Sequence, residues 1–157
     1  MVATLLLAAA LSRPAPPTGH QLTTALGYGP QGWILVGSWT GPRRWGAWFR
    51  VDHATTSAGP PSTNASGTPI LTSASSIGVA WRALPRLTVG IGYGQKEEKT
   101  ATSGAVGVPD TYRNDEHGVA AIGTWTFPVN DTVGVAASAS AGPGGFGAAI
   151  GATFFFP

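Results

Sequence analysis

The sequence predicts an all-β protein: a closed, antiparallel, up-and-down transmembrane β-barrel of about eight strands. Three observations lead there. Apolar residues recur with period 2 in segment after segment from Gly19 onward, with no competing 3.6-residue period. Charge is scarce, at 10 % of 157 residues, where soluble domains carry about 25 %. The face opposite the bulky apolar one carries Gly, Ala, Ser and Thr, not the charges a water-facing sheet needs.

Eight segments carry the alternation: 20–29, 32–40, 44–53, 71–83, 86–96, 117–127, 131–141 and 146–156. In the first, Leu22, Leu26 and Tyr28 oppose Gln21, Thr23, Ala25 and Gly27. The second and sixth are mixed, because Ile34, Val36 and Ile122 fall on the otherwise small or polar face. In the third, Trp45, Ala47, Phe49 and Val51 oppose Arg44, Gly46, Trp48, Arg50 and Asp52. Ile77, Val79 and Trp81 share a face in the fourth, as do Leu87, Val89, Ile91 and Tyr93 in the fifth. The seventh sets Val133, Val135, Ala137 and Ala139 against Gly and Ser, and the eighth sets Phe146, Ile150, Phe154 and Phe156 against Gly147, Gly151 and Thr153. Small residues fit the crowded inside of a narrow barrel, and bulky apolar ones fit lipid outside.

Tight turns fall around Pro42, Pro85 and Pro128, each a few residues after a Trp. Their equal spacing invites a propeller reading, but a blade needs four strands and each interval holds two. The other connections are Gly29-Pro30-Gln31, two long loops at 54–70 and 97–116, and Gly142-Pro143-Gly144-Gly145. Short turns on one side and longer loops on the other describe a meander of hairpins.

Several classes are excluded. The 23 Gly and 13 Pro oppose a helix bundle. Hydrophobic residues at 43 % oppose a solvated disordered chain. The absence of Cys removes disulfides and thiolate zinc sites. A net charge of +2 lacks the dense basic face that nucleic acid requires. Residues 1–17 read as a signal peptide and Pro-rich leader, with cleavage between Ala10 and Ala15 and the barrel domain at 18–157. The leader departs from the usual pattern in having no Lys or Arg before its apolar core.

The aromatic residues form two expected girdles. Trp39, Trp45, Trp81, Trp125 and Phe127 lie beside the tight turns, with Phe154 and Phe156 at the chain end. Tyr28, Trp33, Tyr93 and Phe146 lie at the opposite strand ends. Trp and Tyr favour the headgroup level, where an apolar ring and a polar N–H or O–H are both accommodated.

With these features the sequence resembles the small eight-stranded outer-membrane barrel family of the OmpA, OmpX and opacity-protein kind. The C-terminal Gly151-Ala152-Thr153-Phe154-Phe155-Phe156 is similar to that family's closing strand, with Gly151, Phe154 and Phe156 as the barrel-assembly signal and Pro157 as a departure. The resemblance implies export through the periplasm and insertion into the bacterial outer membrane by the barrel-assembly machinery. It also implies contact with outer-membrane lipid and lipopolysaccharide, periplasmic tight turns and extracellular loops at 54–70 and 97–116.

The chemistry on offer is sparse. Arg44, Trp48, Arg50, Asp52 and Arg82 form an expected polar cluster in the lumen, which either sets a weak ion preference or plugs a narrow interior. Asp52-His53 and Glu116-His117 place acid beside imidazole, but adjacent strand residues point to opposite faces. Gly90-x-Gly92-x-Gly94 is period-2 glycine within a strand, not a phosphate loop. No catalytic, cofactor or metal site is expected. The expected function is structural, adhesive or surface-recognising, carried by the two long loops through an extracellular ligand. The alternatives are a narrow channel, a lipid-modifying enzyme of the outer membrane, or a secreted soluble β-sandwich.

Overall fold

The computed structural model describes residues 19–30, 32–53, 70–101 and 111–157. The expected leader and segments 54–69 and 102–110 of the long loops lie outside the described residues. Eight strands follow in order: β1 (His20–Gly29), β2 (Gly32–Thr40), β3 (Trp45–His53), β4 (Ile70–Leu84), β5 (Leu87–Ala101), β6 (Thr111–Pro128), β7 (Val133–Ala141) and β8 (Gly147–Phe156). Each pairs antiparallel with its neighbour in sequence, and β8 pairs back onto β1, so one sheet closes on itself. Closure satisfies the backbone N–H and C=O groups that hydrocarbon would otherwise penalise.

The stagger follows from the register. Paired residues lead from Gln21 through Thr40, Gly46, Ala80, Gly90, Ile122 and Ser140 to Gly147. Gly147 precedes Ala148, the partner of Tyr28, so the circuit returns to β1 opposite Gly29, eight residues above its start. Eight strands with a stagger of eight tilt by about 36°, so each residue climbs about 2.7 Å along the barrel axis.

The faces divide by size. Outside, Ile77 is 67 %, Val119 72 % and Ile150 70 % exposed. A soluble sandwich would bury that face, so the sandwich alternative is overturned. Inside, Trp48 packs in a buried cluster with Ile34, Val36, Ile122, Ala25, Ala80, Ala120 and Ala149. The three branched residues that broke the alternation in the second and sixth segments are therefore the lumen's own apolar core.

Two expectations need correction. Residues 97–116 are not one loop. β5 continues to Ala101 and β6 begins at Thr111, with Glu97 paired to Asp115 and Ala101 to Thr111. Polar side chains hid this extension, because strands standing clear of the apolar belt need no alternation. Arg44 is not in the lumen. It is exposed in the β2–β3 turn, where its φ is 70°. Its N–H donates to Gly41 O at 3.0 Å, and the Gly41 N–H donates to Trp45 O at 2.8 Å. This is a three-residue hairpin closed by a left-handed residue, so the pleat starts only at Trp45.

Candidate functional site

The lumen is filled in three layers. At the tight-turn end, Arg82 is buried and its Nη2 donates to Gly19 O at 2.9 Å and Thr40 Oγ1 at 3.0 Å. Weaker contacts reach Thr40 O and Gly41 O, both at 3.4 Å. One guanidinium thus ties the start of β1 to the end of β2. Beside it, Gln21 Nε2 donates to Thr126 Oγ1 at 3.0 Å, and the Thr23 and Thr153 hydroxyls bond at 2.9 Å.

The middle layer is organised around Trp48, 1 % exposed. Gly90 gives it room: a Cβ there would stand 2.5 Å from Trp48 Cδ1 and 2.8 Å from Ile122 Cγ2. Period-2 glycine in β5 therefore makes space for an indole. Trp48 Nε1 and Gln21 Oε1 are buried without a hydrogen-bond partner among the described residues.

The outer layer is an ion pair under a lid. Arg50 and Asp52 share the inner face of β3 and meet through two parallel contacts, Nε to Oδ1 and Nη2 to Oδ2. Arg50 Nη1 also donates to Gly145 O at 2.9 Å and Ser140 Oγ at 3.2 Å. Segment 142–146 folds across the mouth from β7 and β8 toward the opposite wall. A Cβ on Gly144 would lie 2.7 Å from Ala74 Cβ and 2.8 Å from Asp52 Oδ2, and one on Gly94 would lie 2.9 Å from Pro143 Cδ. The Gly-Pro-Gly-Gly stretch, expected as a plain connection, forms this cover. Its run of residues too small to collide was the available signal.

Trp48, Arg50, Asp52 and Arg82 are therefore all lumenal, but they do not form one cluster. Arg82 seals one end, Arg50 and Asp52 brace the other, and Trp48 lies between. Asp52 points inward and His53 outward. Glu116 faces Lys96, with Nζ 3.8 Å from Oε2, whereas His117 stacks on Tyr93 outside at 5.8 Å. Neither acid–imidazole neighbour pair forms a dyad. Among the described residues no group of three or more His, Cys, Asp or Glu is placed to hold a metal.

Outside, the stagger resolves the aromatics into two levels. Trp39, Trp45, Trp81, Trp125, Phe127 and Phe154 lie within two residue-heights of one another, with Phe156 just below. Trp45 and Trp81 stack at 6.0 Å, and Trp39 stacks on His20 at 5.7 Å. Tyr28, Trp33, Tyr93 and Phe146 occupy the second level, with Tyr28 and Trp33 edge to face at 5.5 Å. Phe146 lies one residue before β8 and is exposed. The levels are about 17 Å apart, and from Phe156 to Phe146 the belt spans about 27 Å, near the 25 Å apolar band of membrane barrels. Among the described residues, every outward side chain between the two levels is uncharged. His53, Gln95 and Glu97 follow above.

This architecture defines a small, closed, side-chain-filled β-barrel with a lipid-compatible exterior. Its fold is that of the small eight-stranded outer-membrane barrels. The chain is similar to Ail, the attachment invasion locus protein of Yersinia pestis. In complex with the heparin analogue sucrose octasulfate, that structure matches at 12 % identity and a TM-score of 0.53, over 88 % of this chain and 99 % of that one. A second crystal structure of Ail matches at 13 % identity and 0.52, over 87 % and 96 %. The backbone structure of the same outer membrane protein in a phospholipid bilayer nanodisc matches at 11 % and 0.53, over 87 % and 98 %. No family model and no curated protein matches the chain.

Proposed function

We propose that the protein is an integral outer-membrane barrel that acts in surface recognition, through the upper ends of β4, β5 and β6 and the connections at 54–69 and 102–110, without transport or catalysis. The observation that carries this reading is the unequal height of the wall. β3 ends at His53 and β7 at Ala141, while β4, β5 and β6 continue to Ile70, Ala101 and Thr111. Three strands therefore stand above the upper aromatic level, and their upper ends lead into the connections at 54–69 and 102–110. Their charges are mixed: Lys96 Nζ lies 2.6 Å from Glu98 Oε1, and Glu97, Asp115 and Glu116 lie alongside. The likeness to an attachment protein crystallised with a polyanion supports a recognition role in kind, not a particular ligand. Arg82 at one end and the Arg50–Asp52 brace at the other weigh against a channel.

The test has two parts. Refolded in micelles, the protein should change its migration on SDS gels when boiled and should float with liposomes. Displayed on a Gram-negative surface, it should confer binding to cell monolayers. Variants shortened within 57–66 or 103–109 should lose that binding and keep the boiling shift. Binding that survives both deletions would remove the loops from the function.

A further inference from the structure

Between Gln21 and Trp48 in height lies a level of the lumen with no long side chain of its own. All eight of its inner positions, one per strand, are Gly, Ala, Ser or Thr. Thr23, Ser38, Thr88 and Thr124 bring hydroxyls to it, no charged residue stands on it, and its side chains are buried. Thr23 and Thr124 bond to Thr153 and Ser138 on neighbouring strands, both at 2.9 Å, along the wall and not across the lumen. The larger neighbours are engaged elsewhere. Below, Arg82 is tied to Gly19 and Thr40, Gln21 reaches across to Thr126, and Phe155 is buried at the turn end. Above, the Trp48 indole lies against β4 and β5, where a Cβ on Gly78 or Gly90 would stand 2.6 Å from Nε1.

Two buried atoms border this level with their hydrogen-bonding capacity unused among the described residues. Trp48 Nε1, a donor, lies above it, and Gln21 Oε1, an acceptor, lies below it. Their backbones are about 11 Å apart along the barrel axis. Between them, each Thr or Ser hydroxyl can both donate and accept. A spare donor, a ring of hydroxyls and a spare acceptor in sequence form a polar enclosure. Buried polar groups that the protein leaves unpaired are held by ordered water making about three hydrogen bonds, whereas cavities that stay dry are lined by apolar groups.

We infer that this level is a closed chamber that binds a small cluster of water molecules, anchored above on Trp48 Nε1 and below on Gln21 Oε1. The inference rests on closure of the barrel, not on the surface-recognition reading. It is tested on the full chain, isotope-labelled and refolded in micelles of deuterated detergent. Trp48→Phe identifies the Trp48 indole N–H resonance by its loss. Magnetisation transfer from water to that proton should give laboratory-frame and rotating-frame cross-peaks of opposite sign, the mark of direct contact with slowly exchanging water. Ala136→Leu fills the chamber and should abolish both, whereas Ala139→Leu, on the outer face of the same strand, should leave them. Gln21→Leu removes the lower anchor and should weaken them. Absence of the cross-peaks in the unsubstituted protein, or their unchanged survival in Gln21→Leu or in Ala136→Leu, would overturn the chamber. So would a saturable response of the Thr88 methyl resonance to dissolved xenon, which marks a dry cavity. The boiling shift, read on every sample, establishes that each variant is folded. If Ala136→Leu fails to fold, the unsubstituted protein and Gln21→Leu still decide.

Discussion

Arg50 and Asp52 stand two residues apart on β3, face the same way into the lumen, and neutralise each other where neither reaches solvent. The same guanidinium holds the lid through Gly145 O. Removing one partner leaves a buried charge unpaired, which costs about 3–5 kcal/mol, whereas an apolar pair of similar volume is often neutral. Asp52→Asn should therefore lower unfolding stability in liposomes by that amount. Arg50→Met with Asp52→Leu should recover most of the loss. Equal destabilisation of the single and double variants would show that the pair is not the source of the stability.

Trp48 and Gly90 make a steric pair with a directional consequence. A methyl at Gly90 meets the indole at 2.5 Å, so Gly90→Ala should cost about 1–3 kcal/mol through overpacking. Combining it with Trp48→Phe should cost less than the two changes separately. A double-mutant cycle by denaturant unfolding reads the coupling, and additivity would mean the two side chains do not compete for space.

Ile150 sits midway between the aromatic levels and is exposed. In a bilayer, Ile150→Arg should cost about 2–4 kcal/mol, and an arginine at His117, above the upper level, about 0–1 kcal/mol. Unfolding titrations in liposomes compare the two. A neutral Ile150→Arg would place this face in water.

Arg44 holds a left-handed backbone at the hairpin turn. Such a conformation costs an L-residue about 1–2 kcal/mol, part of which glycine returns as chain entropy. Arg44→Gly should be neutral or mildly stabilising, and Arg44→Val destabilising by about 1 kcal/mol or more. Loss of stability in Arg44→Gly would assign Arg44 a side-chain role that its exposure does not suggest.

Residue alternation alone dictates which way nearly every strand residue faces. A two-residue period is local chemistry, readable wherever one side meets hydrocarbon and the other a narrow interior. Strand order, the two aromatic levels and the lumenal placement of Trp48, Arg50, Asp52 and Arg82 followed from that period and from the spacing of the turns. The rest comes from closure of the barrel, because it depends on partners distant in the chain. Residues 97–101 are strand because they pair with 111–115, whatever their polarity. The core roles of Ile34, Val36 and Ile122 appear once closure brings their strands around Trp48. Segment 142–146 becomes a lid because Arg50, some ninety residues earlier, reaches its backbone. The sign of a side chain's direction is set by its neighbours, and what it meets there is set by the circuit that joins β8 to β1.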